Sequence, residues 1–381
     1  MTEPSGVDPD EGCALVARSA ADYLARSDPL ARARRWRDRT PGYDREAWRE
    51  LASLGWPALL IPEADGGLGL GLDSMVAVVR AGAAASLPEP LTEVLAAAQA
   101  LVHAPTSATR TGLLSRIVAG ESIVALAVQD EAGPIDLQRI GTVAVSAGQG
   151  AWRVTGRKRF VAGGVGADGY VVHAHADHQP VLFWVPADCP GLEVLARAQA
   201  DGRFMADLVF ADLVLPPDYL LASGEPALAA AWAAIDTALI GSAAELLGLS
   251  QRALDLTLDY LRTRTQFDRP IGAFQALQHR AVDLYIHQRI GESVMRQLLD
   301  ALRHDPSAEL RTRGASRVKA RAARSARQIT REAIQLHGAI GFTDDCEVGM
   351  HVRRALVLGA WLGSELEHRR RYARLAPPIV D

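Results

Sequence analysis

The chain has 381 residues and a mass of 40.8 kDa, a length that corresponds to roughly two or three domains. Hydrophobic residues make up 49% and charged residues 23%, with 41 Lys plus Arg against 45 Asp plus Glu and a formal net charge of -4. These values argue against a disordered chain and against a cationic nucleic-acid coat protein. Cys13, Cys189 and Cys346 are far apart and odd in number, which fits a reducing compartment and gives neither a disulfide framework nor a thiolate zinc site. Met1–Glu11 is acidic and lacks an apolar targeting core. No run of about 18 or more apolar residues occurs, so no membrane span and a cytoplasmic location are expected.

Residues 1–122 read as helical. Tyr43–Leu54 places Trp48, Leu51 and Leu54 on one face, with Arg45, Glu46, Arg49 and Glu50 mostly turned away. Gly55 closes this helix. Gly66, Gly67, Gly69 and Gly71 then demand backbone freedom or close approach, which predicts a shaped loop. Further helices are expected at 72–86, 91–102 and 109–118.

The period changes in the middle, at 123–218. Short apolar runs at 122–128, 142–146, 151–155, 159–162, 169–175, 180–185 and 206–214 alternate with Gly, Pro, Asp or His. They could be pieces of buried helix, but their lengths favour strands, and a small antiparallel sheet domain is expected. From 226 to 381 the helical period returns, with helices predicted at 226–262, 273–303, 307–336 and 345–375 and short connections between them. The fold class is therefore α+β: a helical N-terminal domain, a middle antiparallel β domain and a C-terminal four-helix bundle. Helices and strands come in blocks and do not alternate, which argues against a Rossmann fold.

Several segments carry functional candidates. Arg264 falls at a helix end before a bend at Pro270. Its guanidinium could grip a pyrophosphate or could simply face the helix dipole. Phe267 and Phe274 could cover an adenine or seat the loop. Gln275 could bond a cofactor or stay an ordinary surface glutamine. Gly338 and Gly341 could admit an anion to backbone N–H groups or form a tight turn between helices. Eight basic residues, Arg311, Arg313, Arg317, Lys319, Arg321, Arg324, Arg327 and Arg331, occur without an intervening acid over 311–331. No aromatic residue interleaves them, so they read as a helix face toward solvent, a partner subunit or phosphates, with no nucleic acid expected.

Motifs in the same order resemble those of the acyl-CoA dehydrogenases, a flavoprotein family, over nearly the whole chain. Tyr260, Arg264, Phe267, Pro270, Ile271, Phe274 and Gln275 follow the family's Tyr-x-x-x-Arg-x-x-Phe-Gly-x-Pro-Ile-x-x-Phe-Gln. Gln335, Gly338, Gly341, Phe342 and Thr343 resemble its C-terminal Gln-x-x-Gly-Gly-x-Gly-Tyr-Thr. Ile61, Pro62, Glu63, Gly66, Gly67 and Gly69 match the N-terminal Ile-Pro-Glu-x-x-Gly-Gly-x-Gly. Phe210, Val214 and Pro216 resemble the end of the family's sheet domain. The resemblance implies FAD, with Arg264, Phe267, Phe274, Gln275, Gln335, Gly338 and Gly341 holding its adenosine pyrophosphate part across a dimer and Phe160 covering the flavin ring. It also implies an acyl-CoA substrate and an electron-transfer acceptor protein.

The family pattern fails at the base. In many members a Glu abstracts the α-proton while hydride leaves the β-carbon for the flavin. Counting from Arg353-Arg354-Ala355 places that Glu at Leu362, and the alternative base position on the first bundle helix falls at Ala238. Neither can accept a proton. Asp236 and Glu245 are the nearest acids, and Glu245 is a weak candidate for a relocated base. The hydroxyl-rich segment beside the flavin is replaced by Val128-Gln129-Asp130-Glu131-Ala132-Gly133-Pro134, and Ala162 stands where a hydroxyl is usual. Asp268 replaces a glycine near the pyrophosphate.

These losses match the non-catalytic subunit type of heteromeric bacterial members, some of which act on steroid side-chain thioesters. The expectation is a subunit that completes the FAD site of a second acyl-CoA dehydrogenase-like chain. A self-sufficient homomeric dehydrogenase with a relocated base, acting on an acyl-CoA or a carrier-protein thioester, and a flavin-free scaffold protein are the alternatives.

Overall fold

The computed structural model describes residues 9–376, so most of the acidic tail Met1–Glu11 lies outside the described residues. The chain forms two compact units. One comprises residues to Val78 together with Pro88–Ala238; the other comprises Val79–Leu87 and the chain from Leu239 onward.

The first unit opens with helices α1 (Pro9–Ser27), α2 (Pro29–Trp36), α3 (Arg45–Ser53), α4 (Gly71–Ala84, whose last turns belong to the second unit), α5 (Leu91–His103) and α6 (Ala108–Val118). Asp44 caps α3 by accepting from the Glu46 N–H at 3.0 Å, and Ser107 caps α6 by accepting from the Arg110 N–H at 3.1 Å. These caps satisfy N–H groups that a helix start leaves unpaired. Trp48 and Leu51 are buried as the helical period predicts, whereas Leu54 is only half-buried. The glycine segment is the expected shaped loop. A Cβ on Gly67 would lie 2.1 Å from the Ile61 carbonyl oxygen, while Gly66 (φ 84°) turns with open space around it. Arg110 pins the loop through a two-pronged contact with Asp65 at 2.8 and 2.7 Å.

The sheet contains β1 (Val124–Ala127), β2 (Val143–Gly148), β3 (Ala151–Ala162), β4 (Gly169–Ala176), β5 (Gln179–Pro186), β6 (Leu192–Ala198), β7 (Phe204–Leu215) and β8 (Leu220–Ser223). Their order is β6-β7-β3-β2-β4-β5-β8, with β1 beside β4. Most neighbours are antiparallel, but β1 runs parallel to β4, and β2 meets β4 in parallel at Val143 and His175. The sheet is therefore mixed.

Three strand expectations change. The runs at 151–155 and 159–162 are one strand, β3. Its pairing with β7 shifts register between Val154 and Gly156 and again between Lys158 and Val161. Gly156, Arg157 and Lys158, which interrupt the apolar run, stay paired with Phe210, Val209 and Leu208 of β7. Two strands, β6 and β8, were not expected. β6 is a largely exposed edge strand without an apolar alternation, and β8 has only four residues.

α7 (Glu225–Thr263) contributes residues to both units. By length and a mean hydropathy of 1.5 it could cross a membrane, yet 83% of that apolar window is buried inside the protein, as in a core helix. The second unit continues with a two-stranded hairpin, β9 (Thr265–Gln266) and β10 (Arg269–Pro270), then α8 (Gln275–His304) and α9 (Ala308–His337). A 3-10 turn at Gly338–Phe342 leads to α10 (Val348–Ala360) and α11 (Glu365–Leu375).

The single helix expected at 345–375 is thus broken. Leu362 (φ 56°) and Gly363 (φ 111°) leave the helical region. Ser364 and Glu367 then start α11 with a reciprocal capping box. A second correction concerns α9. Lys319 is fully buried, on the row of Ala315, Ala322, Ala326, Ile329 and Ala333, while Arg317, Arg324 and Arg327 face outward. The basic stretch is therefore not one solvent face.

Candidate functional site

In the sheet unit, a cavity of about 890 Å³ is lined by residues 128–132, 134–136 and 139–141, by Gly156 and Arg157 of β3, and by Val209 of β7. Its wall includes most of the segment 128–134, which the family resemblance would place on the flavin side. Asp130 does not reach into open solvent as a free acid. Its Oδ2 accepts from the backbone N–H groups of Gly141 at 2.6 Å and Thr142 at 2.9 Å. Its Oδ1 lies 3.1 Å from Thr142 Oγ1 and accepts from Lys158 Nζ at 2.5 Å.

Lys158 is fully buried. Burial pushes its pKa down to about 8, opposed by the Asp130 carboxylate. His173 beside it is held neutral, its pKa pushed down to about 3 by burial and then by Lys158 and His175. His175 Nε2 contacts the Leu137 carbonyl oxygen at 2.9 Å. The Lys158–Asp130 pair was missed in the sequence. Its signal was a lysine on the same strand face as buried Val154, four residues earlier.

Phe160 sits in the bulge of β3 between Lys158 and Val161 with φ 57°, half-buried, and the Arg159 guanidinium lies 4.8 Å from its ring centroid. A bulge with left-handed backbone re-aims a side chain. Ala162 is buried and offers no hydroxyl.

In the bundle unit, the structure gathers the remaining cofactor candidates at one end. Phe267 and Asp268, both with positive φ, form the two-residue turn between β9 and β10, the geometry such hairpins require. The Arg264 carbonyl accepts from the Ile271 N–H at 2.8 Å, which closes the base of the hairpin. The Arg264 side chain is exposed, and so are Gln275 and Gln335. Phe267 is 84% exposed and meets Phe274 edge-on at 6.1 Å. Arg269 lies over the Phe274 ring at 4.1 Å, its cation directed to the ring and not to neighbouring Asp268.

This end is tied to the end of α9. Tyr260 stacks on His337 at 4.6 Å, and Leu261, Ile334 and Leu336 share one apolar cluster, against which Ile271 and Leu277 pack. Gly338 turns with φ 65° and open space around its Cβ position. Gly341 is buried, and a Cβ there would lie 2.9 Å from the Ile334 carbonyl oxygen, so this glycine is required by the turn itself.

The two positions where the family resemblance would put a base are both buried and apolar: Ala238 is fully buried and Leu362 is 4% exposed. Asp236 is also buried. Glu245 is engaged: its Oε2 accepts from the Arg354 guanidinium at 2.8 Å, and both side chains are largely buried. Lys319, below α10, donates to Ser242 Oγ at 3.1 Å and to the Leu358 carbonyl oxygen.

Comparisons with known proteins agree with this architecture. The acyl-CoA dehydrogenase N-terminal domain matches residues 14–121, and the acyl-CoA dehydrogenase C-terminal domain matches residues 228–376. The acyl-CoA dehydrogenase IpdE2 of Mycolicibacterium smegmatis is 30% identical over 331 residues, spanning 87% of this chain and 88% of the relative. Among solved structures, a variant of the Tcur3481-Tcur3483 steroid ACAD superposes with a TM-score of 0.85 at 28% identity, covering 97% of this chain and 98% of that one. The ChsE4-ChsE5 complex from Mycobacterium tuberculosis superposes with a TM-score of 0.82 at 27% identity, covering 98% of each chain. With its two helical segments matched in order and the mixed sheet between them, the chain belongs to the acyl-CoA dehydrogenase family of flavoprotein oxidoreductases.

Proposed function

We propose that this chain is the non-catalytic subunit of a heteromeric FAD-dependent acyl-CoA dehydrogenase, and that its bundle end completes the FAD site of a second, acyl-CoA dehydrogenase-like chain. The observation that carries the reading is a pair of opposites. Leu362 and Ala238 leave both base positions buried without a proton acceptor, and Glu245 is occupied by Arg354. Meanwhile Arg264, Phe267, Gln275 and Gln335 keep the family's cofactor-facing residue types and are exposed. An aromatic ring left 84% in water buries little against its one edge-on neighbour, Phe274, and such a ring beside an arginine suits contact with a nucleotide.

These residues fit the adenosine pyrophosphate part of FAD: Arg264 for the phosphates, Phe267 and Phe274 for an adenine face, Gln275 and Gln335 for polar edges, and the open Gly338 turn for close approach. Phe160 would cover a flavin ring, while Ala162 withholds a hydroxyl hydrogen bond. When bound, FAD supplies hydride acceptance from the β-carbon of the acyl thioester. The α-proton would be taken by a carboxylate of the partner subunit. Likeness to a steroid ACAD and to a two-component complex supports a bulky, steroid-type acyl-CoA as substrate class, with electrons passed to an electron-transfer acceptor protein.

The test is flavin content and native mass, measured on the chain alone and after co-expression with a second acyl-CoA dehydrogenase-like chain. Sub-stoichiometric flavin alone, restored in a mixed assembly, is the expected result. Stoichiometric FAD and thioester dehydrogenation by a homo-oligomer would overturn the reading in favour of the self-sufficient enzyme.

A further inference from the structure

The cavity in the sheet unit has a rigid floor and a built wall. Gly156 and Arg157 of β3 and Val209 of β7 form the floor, and residues 128–132, 134–136 and 139–141 form the wall. The wall is a loop, and loops of this length need anchors to hold one shape. Its two ends meet at Asp130, which receives the N–H groups of Gly141 and Thr142. Its middle is tied where His175 Nε2 meets the Leu137 carbonyl oxygen. Gly156 allows Thr142 to lie directly on β3, since a Cβ there would stand 2.7 Å from the Thr142 Cα.

Beneath these contacts lies Lys158, which is fully buried and does not line the cavity. An ammonium without water requires a counter-charge, and the partner it has is Asp130 Oδ1 at 2.5 Å. Asp130 therefore cannot swing away from the loop ends without stranding a buried charge. Loop closure and charge burial are coupled through one carboxylate.

We infer that Asp130, locked by Lys158, is a positioning residue that fixes the wall of this cavity and thereby sets its affinity for FAD, although Lys158 touches no part of the cavity. The inference rests on the reading of residues 128–134 as facing the flavin.

The experiment compares two double variants in the assembled protein. Asp130→Asn with Lys158→Met removes both charges but keeps an oxygen that can accept from the Gly141 and Thr142 N–H groups. Asp130→Ala with Lys158→Met removes the acceptor as well. Two quantities are read: hydrogen exchange at the amides of Gly141 and Thr142, and the dissociation constant for FAD added to deflavinated protein. The Asn/Met variant is expected to keep slow exchange at both amides and to bind FAD within about threefold of the parent. The Ala/Met variant is expected to exchange faster at these amides and to bind FAD about tenfold more weakly, with the visible flavin band shifted.

If the Ala/Met variant matches the parent in both exchange and FAD affinity, Asp130 positions nothing and the inference is overturned. It is equally overturned if both doubles weaken FAD binding alike, because buried charge and not the loop contact would then be responsible. Failure of the parent itself to bind FAD in any assembly would instead sink the functional reading, while the exchange comparison would still decide whether Asp130 holds the wall.

Discussion

Lys319 of α9 donates a hydrogen bond to the carbonyl oxygen of Leu358, near the C-terminus of α10 and four residues before the left-handed turn at Leu362. A buried ammonium thus satisfies a carbonyl that the helix end leaves unpaired, with Ser242 Oγ as its second acceptor.

That contact makes stability depend on pH in an unusual direction. Burial pushes the Lys319 pKa down to about 7, with Arg354 acting the same way and Glu245 opposing. In the unfolded chain the lysine titrates near 10.4. Between these values the unfolded state binds more protons, so this group makes stability rise with pH from about 7 to about 10. Below about 7 both states are protonated and its contribution is constant. Urea unfolding of the parent and Lys319→Met across this range should show the parent gaining on the variant by up to about 1.4 kcal/mol per pH unit. A constant difference would show that Lys319 is charged throughout.

Glu245 and Arg354 are each more than four-fifths buried. Glu245→Gln should cost roughly 2 kcal/mol, because it removes a carboxylate charge that faces a mostly buried guanidinium at 2.8 Å. Its effect on thioester dehydrogenation by the mixed assembly should follow the loss of folded protein only. Loss of turnover in protein that remains fully folded would make Glu245 a base after all.

Two glycines in one loop should respond differently to the same change. Gly67→Ala forces a Cβ to within 2.1 Å of the Ile61 carbonyl oxygen and should destabilise by about 2–4 kcal/mol. Gly66→Ala meets open space but keeps φ 84°, a cost of about 1 kcal/mol. Thermal or chemical denaturation of the two variants side by side checks the ranking.

Phe267 and Arg264 should separate stability from cofactor retention. Both are exposed at the hairpin, so Phe267→Ala and Arg264→Ala should each change the stability of the chain by less than about 0.5 kcal/mol. In the mixed assembly each should lower FAD retention by about tenfold, a loss of roughly 1.4 kcal/mol of binding. Unchanged FAD retention in both would remove the hairpin from the cofactor site.

The bend at this hairpin is legible in the amino-acid sequence, because Arg264, Pro270 and the aromatic residues mark a turn locally. Locality explains what else could be read. Helix and strand blocks show in periods of a few residues, and the tight packing of Gly67 and Gly341 shows in residue type. The same alternation misread β3 as two strands, since Gly156, Arg157 and Lys158 break the apolar run while staying paired with β7. It passed over β6, whose exposed edge position writes little apolar pattern.

By itself, the sequence determined the order of helices, sheet and bundle, the shaped glycine loop, and the apolar side chains at Leu362 and Ala238. Those properties reside in neighbouring residues or in a single side chain's chemistry. Only the tertiary structure decided which charges are spent inside. Lys158 meets Asp130 across 28 residues and Glu245 meets Arg354 across 109, and Lys319 turns inward from a helix of outward arginines. The cost of burying an ion depends on the partner that folding brings to it, and no local pattern encodes a partner that far along the chain.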